Sequence, residues 1–537
     1  MPDSFESSTF TQASPSIRIN SNALTDYSKQ ILQPQALDLL TELHRQFNPE
    51  RLTLLASREQ AQAEFNSGRL PAYEPRDSEM VTGDWKVAEI PADLLCRRVE
   101  ITGPVNSAKM VIKMLSRNED GARADCAMLD FEDSLKPSWK NVIDGFHNVI
   151  GAAKGELSVS QDGKDYHLNP DDMAVLMVRC RGLHLVESNI LIDDEPVSAG
   201  LFDLALCFYH TARTLVDLGK TPKYYVPKCE HHLEARWWEK LFCVLEDKMN
   251  LPRSTLRATF LIETLTGAFQ IEEILYEIRL HAAGLNVGRW DKIFSDIKTL
   301  KFHSDRIMSD RSLIGMQSPW MRDYAKRLID ICHSRGAFAM GGMAAFTPGR
   351  DPELRKEQVA KVKEDKAFEA KIGHDGCWVS HPFFIGIAQA EFTEKNQLNV
   401  FTDLNDKYPN LLPQGGGNIT EAGLRKNIRV GIAYMHGWLN DIGCVAWDNL
   451  MEDLATLEIS RAQVWQWLHH GISLDEGQKV TQGYIEDIFS EEFEKIQEEL
   501  VPQGKELENW ILAEQTAREL FLARDFPEFL TTTSELV

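Results

Sequence analysis

The 537-residue chain has no stretch of about twenty apolar residues, the length a helix needs to span a bilayer, so no membrane crossing is expected. A basic-then-apolar leader is also missing, since the start, MPDSFESSTFTQASPS, is polar and rich in Ser and Thr. The last residues, Ser534-Glu535-Leu536-Val537, do not form a peroxisomal tripeptide. Positive charge is scarce: 58 Lys and Arg face 81 Asp and Glu, a net −23 that repels phosphate backbones and anionic lipid. No nucleic-acid and no membrane partner is therefore expected, and an anionic substrate would need a local cationic site. None of the nine cysteines forms a CxxC pair, and several sit in apolar runs, as free thiols do in a reducing cytoplasm. The His231-His232 and His469-His470 pairs lack HExxH spacing and read as solvated helix positions. No repeat of solenoid length occurs. What remains is a soluble, cytoplasmic, globular chain, 43% apolar and 26% charged, long enough for two or three domains.

Three zones are expected. Residues 1–95 are charged and helix-rich (ALDLLTELHRQF, then RLTLLASREQAQAEF) and read as an N-terminal helical clasp. Residues 96–410 repeat one unit, a short apolar run ending in a polar residue or Gly, then in most cases a helical stretch. The runs are Arg98 to Thr102, Ala127 to Asp130, Ala174 to Arg179, Tyr224 to Lys228, Ala258 to Glu263, Ala337 to Gly341 and Cys377 to His381, with a weaker one from Leu285 to Gly288. Such a series over about 300 residues predicts an α/β fold, a (β/α)₈ barrel of the TIM type. A doubly wound sheet would ask for GxGxxG after its first strand, and Gly103-Pro104 does not supply it. After Pro413-Gln414-Gly415-Gly416-Gly417, residues 418–537 form a C-terminal helical domain, with helices over Ala422 to Leu439, Ser460 to His469 and Tyr484 to Leu500.

The ends of the apolar runs carry Asp130, Glu132, Arg179, Lys228, Glu263 and His381, and the carboxyl ends of barrel strands are where such enzymes keep their chemistry. Between Glu263 and the Gly-Arg-Trp stretch before Asp291, one amphipathic helix is expected, with Ala268, Ile271, Leu275, Ile278 and Ala282 on one face. The two acids are then one strand-helix unit apart, so both reach the mouth, where two hard oxygen ligands suit Mg²⁺ better than zinc. Gly288 lets the N–H groups from Gly288 through Arg289 and Trp290 to Asp291 approach a small carboxylate. Glu132 and Asp133 are expected to stand behind the ion's ligands. Arg179 and Arg181 end one strand, and either reads as a salt-bridge partner or as a cation for a developing enolate. Asp453 reads as a helix N-cap or as a base that the helix start keeps ionised. Met340-Gly341-Gly342-Met343-Ala344-Ala345 suits an acyl thioester or plain close packing, and His184 reads as a packed residue.

Taken together, these stretches resemble the shorter, A-type malate synthases. The resemblance rests on RLHAAGLNVGRWDKIF (Arg279 to Phe294), GDWKVAEIPADL with RRVEITGPV (Gly83 to Val105), MLDFEDSLKPSW (Met128 to Trp139), AFAMGGMAAF (Ala337 to Phe346), GHDGCWVSHP (Gly373 to Pro382) and NLMEDLATLEISRAQVWQWLHHG (Asn449 to Gly471). Leu280, Lys292, Ala446-Trp447 and His436-Gly437 depart from the usual family pattern. The resemblance implies condensation of acetyl-CoA with glyoxylate and hydrolysis to malate and CoA, with Asp453 as base, Arg179 at the enolate and Mg²⁺ on Glu263 and Asp291. It implies a monomer or small homo-oligomer. A barrel lyase acting on malyl- or citryl-type thioesters would share the acids and the arginine, but not the large helical C-terminal zone. A dead barrel that only binds CoA would lack at least one of the four charged groups, and all four are present.

Overall fold

The structure is a computed structural model that describes residues 10–349, 351–501 and 507–532. The first nine residues of the polar start and the Ser534-to-Val537 terminus lie outside these. Eight parallel strands close into a barrel: β1 Val99–Pro104, β2 Cys126–Asp130, β3 Val175–Arg179, β4 Lys223–Val226, β5 Arg257–Ile262, β6 Ala282–Val287, β7 Phe338–Ala344 and β8 Gly376–Val379. Each pairs with the next, and closure is made by β8 on β1, with Trp378 opposite Glu100. All eight apolar runs are barrel strands. They print as runs rather than alternations because both faces are covered, outward by helices and inward by the barrel's own filling.

The filling includes Met128, Met177, Tyr225, Leu261, Phe338, Met340 and Trp378. A buried polar knot sits among them. Arg97 Nε donates to Glu100 Oε1 at 2.7 Å and Arg97 Nη2 to the Tyr225 hydroxyl at 2.9 Å, while Trp378 Nε1 donates to Glu100 Oε2 at 3.0 Å. With both Glu100 oxygens and two of the three Arg97 nitrogens engaged, the charge pair is tolerable in a dry core, and Arg97 Nη1 is left without a partner.

One expectation fails beside the site. The stretch from Ala268 to Ala282 is not a single helix but two short ones, Leu265–Ala268 and Ile271–Glu277, and Ala282 opens strand β6. Ala282-Ala283-Gly284 is small enough to satisfy a helical period and still pack as a strand, with Gly284 pressed against the Phe338 carbonyl.

In the N-terminal zone the two helical runs are one helix, α1 Pro34–Asn66, which continues through Pro49. It lies on the barrel's outer helices, with Arg51 Nε donating to the Leu183 carbonyl at 2.6 Å and Trp237 Nε1 to that of Phe47 at 2.9 Å. Strands Phe10–Ser14 and Ile17–Asn20 join Val186–Ile192 and Glu195–Ser198 in an antiparallel sheet that the sequence pattern did not announce. Helices α2 His232–Lys248 and α3 Arg289–Leu300 flank the barrel. Beyond it, α4 Glu421–Leu439, α5 Leu454–His469, Gln482–Leu500 and Glu508–Leu522 share a core of their own around Ile428, Trp467, Phe489 and Phe521. Among the described residues no helix is long and apolar enough to cross a membrane.

Candidate active site

The barrel mouth is built outward from Arg179, the last residue of β3. Its Nε and Nη2 clamp Asp130, the last residue of β2, at 2.7 and 2.6 Å, and its Nη1 lies 3.3 Å from Glu132 and 3.4 Å from Asp133. Burial works against the guanidinium charge, but these carboxylates outweigh it and hold the group well above its ordinary value. Arg179 therefore stays a fixed cation. Arg181 is consumed elsewhere, by Asp203 at 2.8 Å and Glu187 at 3.0 Å.

Lys228, two residues past β4, stands in a left-handed backbone conformation (φ 52°) that a lysine seldom adopts. The strain aims both ends of the residue at the mouth. Its backbone N–H donates to Glu263 Oε1 at 2.7 Å, and its ammonium reaches Glu132 at 2.5 Å, Asp133 at 2.8 Å and Asp291 at 3.1 Å. Glu132 and Asp133 thus contact the two fixed cations. Burial and Asp133 push Glu132 up, whereas for Asp133 Lys228 and Arg179 overcome burial and push it down.

Glu263 follows β5, and Asp291 lies in the first turn of α3, whose N-cap is Gly288. Glu263 Oε2 is buried and accepts no hydrogen bond, and Asp291 Oδ1, also buried, meets the Lys228 ammonium at 3.1 Å. A Cβ at Gly288 would lie 2.5 Å from Glu263 Cβ and 2.6 Å from its Oε2, so only glycine brings the N-terminal amides of α3 this close to the acid. Two hard oxygens beside a helix N-terminus, one of them without any donor, fit a divalent cation with an anion next to it. No third carboxylate, imidazole or thiol among the described residues joins this pair within 4.8 Å, which leaves the rest of an ion's shell to water and substrate. Burial, then Asp291, raises Glu263 well above the carboxylate range; burial, then Asp133, pushes Asp291 up to about 6.

Asp453 comes from the helical zone, as the N-cap of α5, where it forms a capping box with Thr456. The helix carrying it packs directly on α3. The expectation that the helix start keeps it ionised does not hold for the protein's own charges. Burial, then Asp133 and Asp291, raises Asp453 well above its usual value, against a capping bond of 3.3 Å. The zone is docked closed: Leu454 N–H donates to the Asp133 carbonyl at 3.2 Å and Met451 N–H to that of Ala345 at 2.8 Å. Gly443 abuts the Leu135-Lys136 backbone, and Arg311 reaches from the barrel to Glu452 at 2.7 Å.

Arg179, Glu263, Gly288, Asp291 and Asp453 line one cavity of about 60 Å³, together with Arg289, Trp290, Asp133, Trp378 and Cys444. A cleft of about 700 Å³ adjoins it, sharing Arg289, Trp290, Met343 and Met451 and extending past Ala344-Ala345-Phe346 to Lys361 and Lys426. Glu132 and Lys228 stand behind the cavity. His381 does not line it and instead accepts the Phe383 N–H at 3.2 Å. His232 is buried beside Glu277, not solvated. His184 is packed as expected, stacked on Phe529 at 4.1 Å.

Family models described as malate synthase N-terminal domain, TIM barrel domain and C-terminal match residues 22–79, 175–407 and 418–535. Malate synthase A of Escherichia coli is 44% identical over 95% of this chain and 94% of its own, and the Myxococcus xanthus malate synthase is 44% identical over 96% and 95%. The chain belongs to the malate synthase family. Within that family its departures have local explanations. His436 stacks on Trp510 at 3.8 Å, and Trp447 lies 5.6 Å from the same ring, so these two departures fill one another's surroundings. Lys292 is buried against Asp296, 5.7 Å from the Tyr324 ring. Leu280 is exposed. None enters the cavity.

Proposed function

We propose that this malate synthase family member condenses acetyl-CoA with glyoxylate in the 60 Å³ cavity, with Asp453 as base and Arg179 as the enolate's partner. What carries the reading is the meeting, in one closed cavity, of a carboxylate with raised basicity and a guanidinium already fixed in place. Glyoxylate fits the smaller space, its carboxylate toward the amides of Gly288, Arg289, Trp290 and Asp291 at the start of α3. The thioester arm of CoA fits the adjoining cleft, with Lys361 and Lys426 available to its phosphates.

Asp453 takes a proton from the acetyl methyl group, and its elevated proton affinity narrows the gap to so weak a carbon acid. Negative charge then develops on the thioester oxygen, where Arg179 meets it without reorganising, because Asp130 holds its fork. The enolate carbon bonds to the aldehyde carbon of glyoxylate, and water then cleaves the thioester to release malate and CoA. Mg²⁺, held by Glu263 and Asp291, would polarise the aldehyde. Glu132 and Asp133 keep Lys228 and Arg179 in register behind it. The docked helical zone excludes water until the carbon–carbon bond is made. Nine free thiols support a reducing, cytoplasmic setting.

The test is thiol release from acetyl-CoA with glyoxylate, with and without Mg²⁺, on the native chain and on Asp453→Asn. Asparagine can still cap α5, so the variant should bind both substrates yet lose about 10²–10⁴-fold in turnover. Turnover at the native rate would refute the base.

A further inference from the structure

At the opposite end of the barrel, where β6 begins, three different ligand types converge. Glu239 and Cys243 lie one turn apart on α2, and His281 immediately precedes β6. One carboxylate oxygen, the thiol sulfur and one imidazole nitrogen lie within 4.8 Å of one another. We propose that this trio is a second metal site, selective for a thiophilic divalent ion of the Zn²⁺ type and distinct from the oxygen-only pair at the mouth.

The competing arrangement is an imidazolium held between Glu239 and Glu246, which raise its proton affinity, and it leaves the converging sulfur unused. Both oxygens of Glu239 are buried with no hydrogen-bond partner, and so is Nδ1 of His281, a residue with 0% exposure. Nδ1 and Glu239 Oε2 approach to 2.9 Å, an ion-pair distance, though off the line of a hydrogen bond. Once Nδ1 gives up its proton, it and the Glu239 carboxylate present lone pairs beside a sulfur, an arrangement for a shared cation. On its far side His281 Nε2 meets Glu246, itself fully buried, at 3.1 Å. A carboxylate behind the ring fixes which nitrogen carries the proton and leaves Nδ1 as donor to a metal. Sulfur, imidazole and a single carboxylate select zinc over magnesium and leave a fourth position open. That position faces a surface cavity of about 620 Å³ lined by Glu239, Cys243, Phe47, Lys240, Arg279 and Leu280, which gives an ion its entry.

The six residues of β6 separate His281 from the mouth by about 20 Å. An ion there would not touch the reacting atoms. It would tie α2 to the floor of the barrel, the end of the fold that serves stability.

The experiment titrates Co²⁺ into the chelator-treated full-length chain at saturating Mg²⁺ and follows the thiolate-to-metal charge-transfer band. One Co²⁺ per chain should give the band, and Zn²⁺ should bleach it. Cys243→Ser should abolish it. Cys444→Ser, which removes the thiol near the mouth, should leave it. Glu246→Gln should keep the band and weaken the ion about 10- to 100-fold. Zn²⁺ should raise the unfolding temperature of the native chain and of Cys444→Ser, but not of Cys243→Ser or Glu239→Gln. Absence of the band in the native chain, or its survival in Cys243→Ser, would overturn the site and leave an ion pair in its place.

Discussion

Lowering the pH from 7 to 5 should loosen Mg²⁺ from the mouth by at least about tenfold. The carboxylates that would hold the ion must be deprotonated to do so, and the structure keeps protons on them. Asp291 is held at about 6. With that value it is protonated in about a tenth of molecules at pH 7 and about nine tenths at pH 5, and the apparent association constant falls in proportion to the deprotonated fraction, about tenfold. Glu263, raised well above the ordinary range, adds to the slope, so more than one proton should leave per ion bound. The sign for stability is the reverse. A carboxyl whose folded value lies above its unfolded one stabilises fully below about pH 4 and loses that contribution as pH rises through about 6, for Asp291 about 3 kcal/mol. Chelator-treated protein should therefore lose stability between pH 4 and 6, and Mg²⁺ should restore part of it at pH 7. Calorimetric titration in two buffers of different protonation heat, at pH 5, 6 and 7, reads affinity and proton release together. Equal affinity at pH 5 and 7 with no protons released would refute the electrostatic reading of the mouth.

Arg179→Lys keeps the charge but gives up the two-pronged grip on Asp130. Turnover should fall about 10²–10³-fold with the KM for acetyl-CoA little changed, and steady-state kinetics at saturating Mg²⁺ would show it; full activity in the lysine variant would contradict the fixed-fork argument. Gly443→Ala places a Cβ 2.2 Å from the Lys136 backbone nitrogen and 2.3 Å from the Leu135 carbonyl carbon, so the antiparallel pair Val445–Trp447 and Leu450–Glu452, which leads to Asp453, must lift. Turnover should drop while Mg²⁺ affinity, set on the barrel, stays at the native value by calorimetry. A parallel loss of Mg²⁺ would show that the two halves of the site are not separable in this way.

The barrel was legible because strands covered on both faces must be apolar throughout, and eight such runs can be read one after another. The faintest run was β6, since Ala282-Ala283-Gly284 carries almost no side chain from which to judge a period. The same small residues allowed a helix to be read into the start of that strand. The N-terminal strands were invisible for a different reason: Ile17–Asn20 pairs with Val186–Ile192, and a partner that distant leaves no local periodicity. Glu263, Asp291, Arg179 and Asp453 could be picked out along the chain, and the structure gathers them. Lys228 was named only as a charge at a strand end. Its place among Glu132, Asp133 and Asp291 depends on two other strand ends, and a lysine's default is the surface. His381 carried the same sequence signal and came to nothing but a turn.

The proton affinity of Asp453 was beyond reach from its own neighbours in the chain, and it follows from how charge is divided at the mouth. Six carboxylates, Asp130, Glu132, Asp133, Glu263, Asp291 and Asp453, surround two fixed cations, Arg179 and Lys228. Asp130 takes both prongs of the arginine, while Glu132 and Asp133 share the lysine. Lys228 touches Asp291 only through one further contact, and among the described residues no ion pair reaches Asp453. The cations thus satisfy the acids that have no chemistry to perform. The pair that suits a metal is left with little positive charge of the protein's own, and Asp453, the base we propose, is left with its proton affinity raised. A salt bridge to Asp453 would have made the closed cavity easier to form and the base weaker.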